Sequence, residues 1–188
     1  MIRPAVFLVL LVVSCAALAQ KPLPSESLYQ LQAKLTSQTG QPQSFALFRG
    51  NPVLVTMFYG SCPAACPLLI DTIRTVEATL SPAQKGQLRV LMISIDSDRD
   101  TPAVLGELAR KRRIDLSRWT LARADANTVR KIAATLSIQY RKLPDGEFNH
   151  SSVITLLNSD GEIVKQTSTL GSADPELVAA IGRTLDQK

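Results

Sequence analysis

Apolar positions along the chain fall into two textures. Val53-Leu54-Val55-Thr56-Met57-Phe58-Tyr59 and Leu88 to Ile95 are nearly continuous apolar runs and read as strands buried on both faces. Elsewhere apolar residues recur at helical spacing. Leu69, Ile70, Ile73, Val76 and Leu80 mark one face of a helix from Pro67 to Leu80, which Ser81-Pro82 ends. Thr101-Pro102 supplies a cap and a first-turn proline for a helix to about Arg112. Asp125 caps a helix to Leu136 whose apolar face is Val129, Ile132, Ala133 and Leu136, and Asp174-Pro175 opens a last helix reaching Leu185.

Shorter signals complete the order. Tyr29 to Leu35, the turn Thr39-Gly40-Gln41-Pro42 and Ser44 to Leu47 predict an N-terminal hairpin. Trp119 to Ala122 is a short strand. Val153 to Leu157, Asn158-Ser159-Asp160-Gly161 and Glu162 to Lys165 predict a closing hairpin with an Asx-Gly turn. Buried strands separated by helices imply a mostly parallel centre, to which the closing hairpin adds antiparallel strands. The expected fold is α/β: a thioredoxin-like three-layer α/β/α sandwich with an N-terminal β-hairpin extension.

The first residues change the picture of where this domain works. Arg3, the apolar run Ala5 to Val13 and the small residues Ala16-Ala17-Leu18-Ala19 follow the grammar of an export signal, cleaved before Gln20. An uncleaved membrane anchor, or a lipid on Cys15 in Val12-Val13-Ser14-Cys15, are the alternatives. The expected boundaries are residues 1–19 for the signal, 20–28 for a proline-bearing spacer and 29–188 for the domain. The location is then periplasmic or otherwise exported, with a tether to the inner membrane under either alternative. Apolar residues at 45% and charged residues at 20% exclude a disordered chain. The net charge of +5 is concentrated partly in Arg110-Lys111-Arg112-Arg113. That run reads as a solvated helix end sooner than a docking patch, because cations suit a helix C-terminus. Without interleaved aromatics, and in an exported chain, it gives no case for nucleic-acid binding.

Three cysteines occur, and with Cys15 in the signal only Cys62 and Cys66 remain. In an oxidising compartment so close a pair forms a disulfide or holds a metal. The loop Tyr59-Gly60-Ser61-Cys62-Pro63-Ala64-Ala65-Cys66-Pro67 follows a central strand, where ligand sites of open α/β sheets gather. Pro67 predicts Cys66 at the helix N-cap, with both thiols near the positive helix end and their pKa lowered. A thiolate attacks disulfides and also ligates Cu(I), so both readings stand. Redox pairs of the thioredoxin type have two residues between the cysteines; here there are three, which also lets the sulfurs splay around a soft metal. A purely structural disulfide across so short a loop would stabilise little.

His150 is the only histidine and stands before the closing hairpin, in the loop that faces the thiols in a thioredoxin-like domain. Thioredoxin-type oxidoreductases usually carry a cis-proline there; this chain has Asn149-His150, which exchanges a peptide-docking element for a possible ligand. Asp96 and Asp100, after the second buried strand, could tune the site, hold a second metal or dock a partner; equally they are ordinary turn residues. Too few oxygen donors are visible for a hard divalent ion.

These residues resemble the SCO/SenC copper chaperones. The likeness rests on Phe58 to Pro67, on Ser94-Ile95-Asp96-Ser97-Asp98-Arg99-Asp100-Thr101-Pro102, and on His150-Ser151-Ser152 before Leu156-Leu157-Asn158-Ser159-Asp160-Gly161. The resemblance implies that Cys62, Cys66 and His150 ligate copper, as Cu(I) and Cu(II), with Asp96 and Asp100 as auxiliary residues. It implies assembly of the binuclear copper centre of cytochrome c oxidase, and as partners subunit II or another copper-receiving protein, a copper donor and a periplasmic thiol reductase. Some family members act instead as thiol-disulfide reductants or redox sensors. The rival readings are therefore an enzyme, a thiol-disulfide reductase or peroxidase with Cys62 as nucleophile and Cys66 as resolving thiol, and a redox-controlled interaction module. Three positions depart from the family pattern: Asn149 replaces an Asp, Gly60 a Thr and Ser97 a Pro.

Overall fold

The computed structural model describes residues 21–62 and 65–186. The expected export segment 1–19, with Cys15, lies outside the described residues. Nine strands occur among those described: β1 (Leu35–Ser37), β2 (Pro42–Gln43), β3 (Val53–Phe58), β4 (Arg89–Ser94), β5 (Trp119–Arg123), β6 (Tyr140–Lys142), β7 (Phe148–His150), β8 (Ile154–Leu157) and β9 (Ile163–Thr167). The helices are α1 (Ala65–Ala78), α2 (Pro82–Gln87), α3 (Pro102–Lys111), α4 (Ala126–Thr135) and α5 (Pro175–Asp186). Seven strands form one mixed sheet in the order β2-β1-β5-β4-β3-β8-β9, and β6 and β7 form a separate two-stranded hairpin.

Burial explains the order. All six residues of β3 are buried, Val53, Val55 and Met57 toward one face and Leu54, Thr56 and Phe58 toward the other, so both sides of the sheet centre are covered. β3 pairs parallel with β4, β4 parallel with β5, and β8 antiparallel with β3. α1 supplies Leu69, Ile70, Ile73 and Val76 to the core. The caps read from the sequence are made: the Thr101 side chain accepts from the Val104 amide at 3.3 Å, and Asp125 accepts from Asn127 and Thr128 at 2.9 and 3.0 Å. This is the expected mixed α/β sandwich.

Several details differ. The predicted arms of the N-terminal hairpin shrink: Leu28–Gln30 and Phe45–Phe48 are 3-10 turns, and only Leu35–Ser37 and Pro42–Gln43 pair. Nor is this hairpin a mere extension, because β1 pairs antiparallel with β5 and carries the main sheet outward. The expected spacer ends inside the fold. Ser27 and Leu28 are buried, and the Leu28 amide donates to the Gly161 carbonyl at 2.9 Å. Gly161, at φ +83°, makes this contact possible: a Cβ there would stand 2.6 Å from the Tyr29 ring. Ser81-Pro82 ends α1 but also starts α2, through a capping box with Gln84.

Candidate metal centre

The site lies where parallel β3 and β4 end, the carboxyl edge at which loops of such sheets converge. From β3 the chain enters Tyr59, Gly60, Ser61 and Cys62, and α1 brings Cys66 back beneath them. The Cys66 amide points at Cys62 Sγ, 3.3 Å away, so the opening turn of α1 offers a hydrogen bond to that sulfur. Cys66 differs from the expectation. It lies inside α1, one residue past Ala65 and not at the cap, and it is buried. Its thiol donates to the Tyr59 carbonyl at 3.2 Å. Burial, with the Cys62 sulfur adjacent, pushes the Cys66 thiol well above its ordinary value, opposite to the expected lowering. The two cysteines are therefore unequal: Cys62 is half-buried, Cys66 is enclosed, and the two are not joined in a disulfide.

His150 reaches them from β7, a strand the sequence reading placed in a loop. β6 and β7 are short and partly exposed, with Tyr140 opposite His150 and Lys142 opposite Phe148. Tyr59 holds this hairpin against the thiol loop. Its ring packs 5.4 Å from Phe148 and meets the His150 ring edge-on at 5.7 Å. His150 Nδ1 lies 3.1 Å from the Ser151 carbonyl oxygen, which fixes the proton on Nδ1 and leaves the Nε2 lone pair free. Nε2 is buried without a hydrogen-bond partner. Burial lowers the imidazole pKa from 6.5, against the Ser151 carbonyl, which favours the uncharged ring.

Donor atoms of Cys62, Cys66 and His150 all lie within 4.8 Å of one another. Three donors around one ion stand roughly 4 Å apart, so a small closure suffices. The chemistry of the set is specific. Two sulfurs and a neutral imidazole suit a soft ion such as Cu(I). The orphaned Nε2 is the atom a metal would satisfy, and its Nδ1 bond to a carbonyl is the usual support for a ligating ring.

Asp96 and Asp100 do not join the donors. They brace both sides of the site. Asp100, buried, accepts from the Gly60 amide at 2.8 Å and from the Ser94 hydroxyl, which pins the thiol loop to the end of β4. Burial raises its pKa in spite of those two bonds. Asp96, also buried, pairs with Arg99 Nε; Arg99 then donates to the Gly146 carbonyl at 2.6 Å, at the tip of the β6–β7 hairpin. The acidic segment thus ties the cysteine loop and the histidine hairpin to one strand end. Gly60 is required by the clamp, since a Cβ there would lie 2.5 Å from Asp100 Oδ1. Tyr59, Ser94, Arg99 and Glu147 were not singled out from the sequence. The one available signal was the cation Arg99 set between Asp98 and Asp100.

The SCO1/SenC family model matches residues 24–186. The chain belongs to this family. The mitochondrial SCO2 homolog of Bos taurus is 28% identical over 151 residues, 74% of this chain, and the chain spans 54% of that relative's length. ScoI of Bradyrhizobium japonicum, solved with copper bound, superposes with a TM-score of 0.68 at 24% identity, covering 81% of this chain and 96% of ScoI. BsSco, described as a member of the Sco family of cytochrome c oxidase assembly proteins, gives 0.69 at 18% identity, covering 85% and 95%. At these identities the superpositions establish the thioredoxin-like SCO fold. Among the described residues no helix is long and apolar enough to cross a membrane.

Proposed function

We propose that this SCO1/SenC protein is a copper carrier that holds Cu(I) between Cys62, Cys66 and His150. The observation that carries the reading is a His150 ring with a buried, unpartnered Nε2 and a donor atom within 4.8 Å of the sulfurs of Cys62 and Cys66. A dithiol catalyst needs the cysteines alone and gives this imidazole no task. Copper in ScoI, and the assembly role in the description of BsSco, support the same reading. Delivery then goes by ligand exchange, with the half-buried Cys62 as the sulfur a client reaches first. The client we infer is subunit II of cytochrome c oxidase or another copper-receiving protein with its own thiols. The proposal includes an exported, periplasmic location, a copper donor upstream and a thiol reductase that keeps Cys62 and Cys66 reduced.

Anaerobic copper titration of the reduced protein tests this. Wild type should hold one Cu(I), and His150→Ala should lose affinity by roughly tenfold or more while its thiol-exchange rate stays close to wild type. Equal copper retention by the two proteins would return the case to the dithiol enzyme.

A further inference from the structure

Four buried polar atoms near the carboxyl ends of β4 and β5 and on the β6–β7 hairpin lack a hydrogen-bond partner: Ser97 Oγ, Arg123 Nε, His150 Nε2 and Glu147 Oε2. His150 is explained by copper. Glu147 is not: its side chain is 35% exposed, yet its Oε2 is buried without a donor. Its other oxygen is weakly engaged, 3.4 Å from Arg99 Nη1 and 3.5 Å from Ser61 Oγ, the residue beside Cys62. Contacts of that length leave the carboxylate free to turn. Tyr59, whose ring meets His150, has its hydroxyl 3.4 Å from the carbonyl of Phe148, the residue after Glu147, so Glu147 adjoins the site through both the thiol loop and the histidine hairpin. Asn149, which replaces the family's acidic neighbour of the histidine, is exposed on β7 and brings no charge to the site.

We propose that Glu147 is the fourth ligand of this site when copper is oxidised, its Oε2 turning onto Cu(II) while Cu(I) is held by Cys62, Cys66 and His150 alone. This rests on the copper-carrier reading and adds to it how one site serves two oxidation states. Cu(I) is soft and content with few donors; Cu(II) favours a tetragonal set with nitrogen and oxygen ligands. Charge points the same way. Cu(I) with two thiolates carries one net negative charge, and Cu(II) with two thiolates and a carboxylate carries the same. The charge of the groups bound directly to the metal is then equal in the two states, because the carboxylate moves onto the more highly charged ion from its place beside it. Arg99, already against Glu147, stays near the carboxylate in both.

Glu147→Gln keeps the shape and removes the charge. In this variant Cu(II) affinity should fall roughly tenfold or more, with altered Cu(II) electron paramagnetic resonance, while Cu(I) affinity measured by chelator competition stays within about threefold. Ser61→Ala frees Oε1 without touching the carboxylate and should leave the Cu(II) spectrum as in wild type. The proposal is overturned by an unchanged Cu(II) spectrum and affinity in Glu147→Gln, by an equal loss of both oxidation states, or by Ser61→Ala reproducing the Gln variant, since the last two describe a loop tie. Should Glu147→Gln not fold, wild type containing 13C-carboxyl glutamate should show hyperfine coupling to Cu(II), and its absence overturns the proposal. Failure of wild type to bind either ion would instead sink the copper-carrier reading itself.

Discussion

The molecule has two buried ionic clusters at opposite ends of its parallel strands, and they are built differently. At the start of β5, Glu77 from α1 accepts from Arg118 and from the Trp119 indole at 3.2 Å, and Arg118 also holds Asp115 at 2.9 Å. None of the unpartnered buried side-chain atoms belongs to these residues. At the other end the bracing is just as deliberate, through Asp96, Asp100 and Arg99, yet His150 and Glu147 each keep a buried atom without a partner. A cluster that exists for stability satisfies itself. A cluster that exists to receive something leaves a donor atom open, as His150 Nε2 is left beside the two sulfurs' loop.

Substitutions should separate the two ends. Glu77→Ala leaves Arg118 short of its buried partner and is expected to cost about 3 kcal/mol in urea unfolding, with copper stoichiometry of the folded protein unchanged. Cys62→Ala should do the reverse: stability within about 1 kcal/mol of wild type and no retained Cu(I). A Cys62→Ala protein that is strongly destabilised, or a Glu77→Ala protein that folds but drops its copper, would break the contrast. Gly60→Ala tests whether the site end carries structure as well. The new methyl must displace Asp100 from the Gly60 amide, with an expected loss of about 1–3 kcal/mol and weaker copper retention together.

The smallest effect is in acid. Asp115 is held below its usual 3.8 by Ser117 and Arg118, so its contribution is present above 3.8 and fades as pH falls through its folded value. Asp100 is raised above 3.8 by burial, so the folded state binds its proton first, and its contribution fades as pH rises through the folded value. Unfolding midpoints of Asp115→Asn and Asp100→Asn, followed from acid to neutral pH, should therefore diverge from wild type with opposite slopes. Parallel slopes would show that the two carboxylates are equivalent.

Comparison of particular elements shows what pattern alone could reach. The caps at Thr101 and Asp125 and the core strands β3 and β4 were legible because their signals are local. The position of Cys66 was not. A proline fits anywhere in a first helical turn, whose amides lack partners, so Pro67 could not say where α1 begins. β6 and β7 escaped because three-residue strands rich in Arg, Lys and Asn carry no period to read. Glu147 escaped for a further reason: its weight comes from one buried oxygen, and burial is a property of the folded chain.

By itself the sequence determined the alternation of buried strands and capped helices, the cysteine pair after a central strand and the single histidine late in the chain. Those follow from side-chain chemistry and short-range spacing. Only the tertiary structure decided that His150 meets the sulfurs within 4.8 Å, that Cys66 is enclosed while Cys62 is half-buried, and that Asp96 and Asp100 brace the site without entering it. Each of these depends on distances between segments tens of residues apart. Such distances are fixed by how the sheet and its helices pack, which no local pattern encodes.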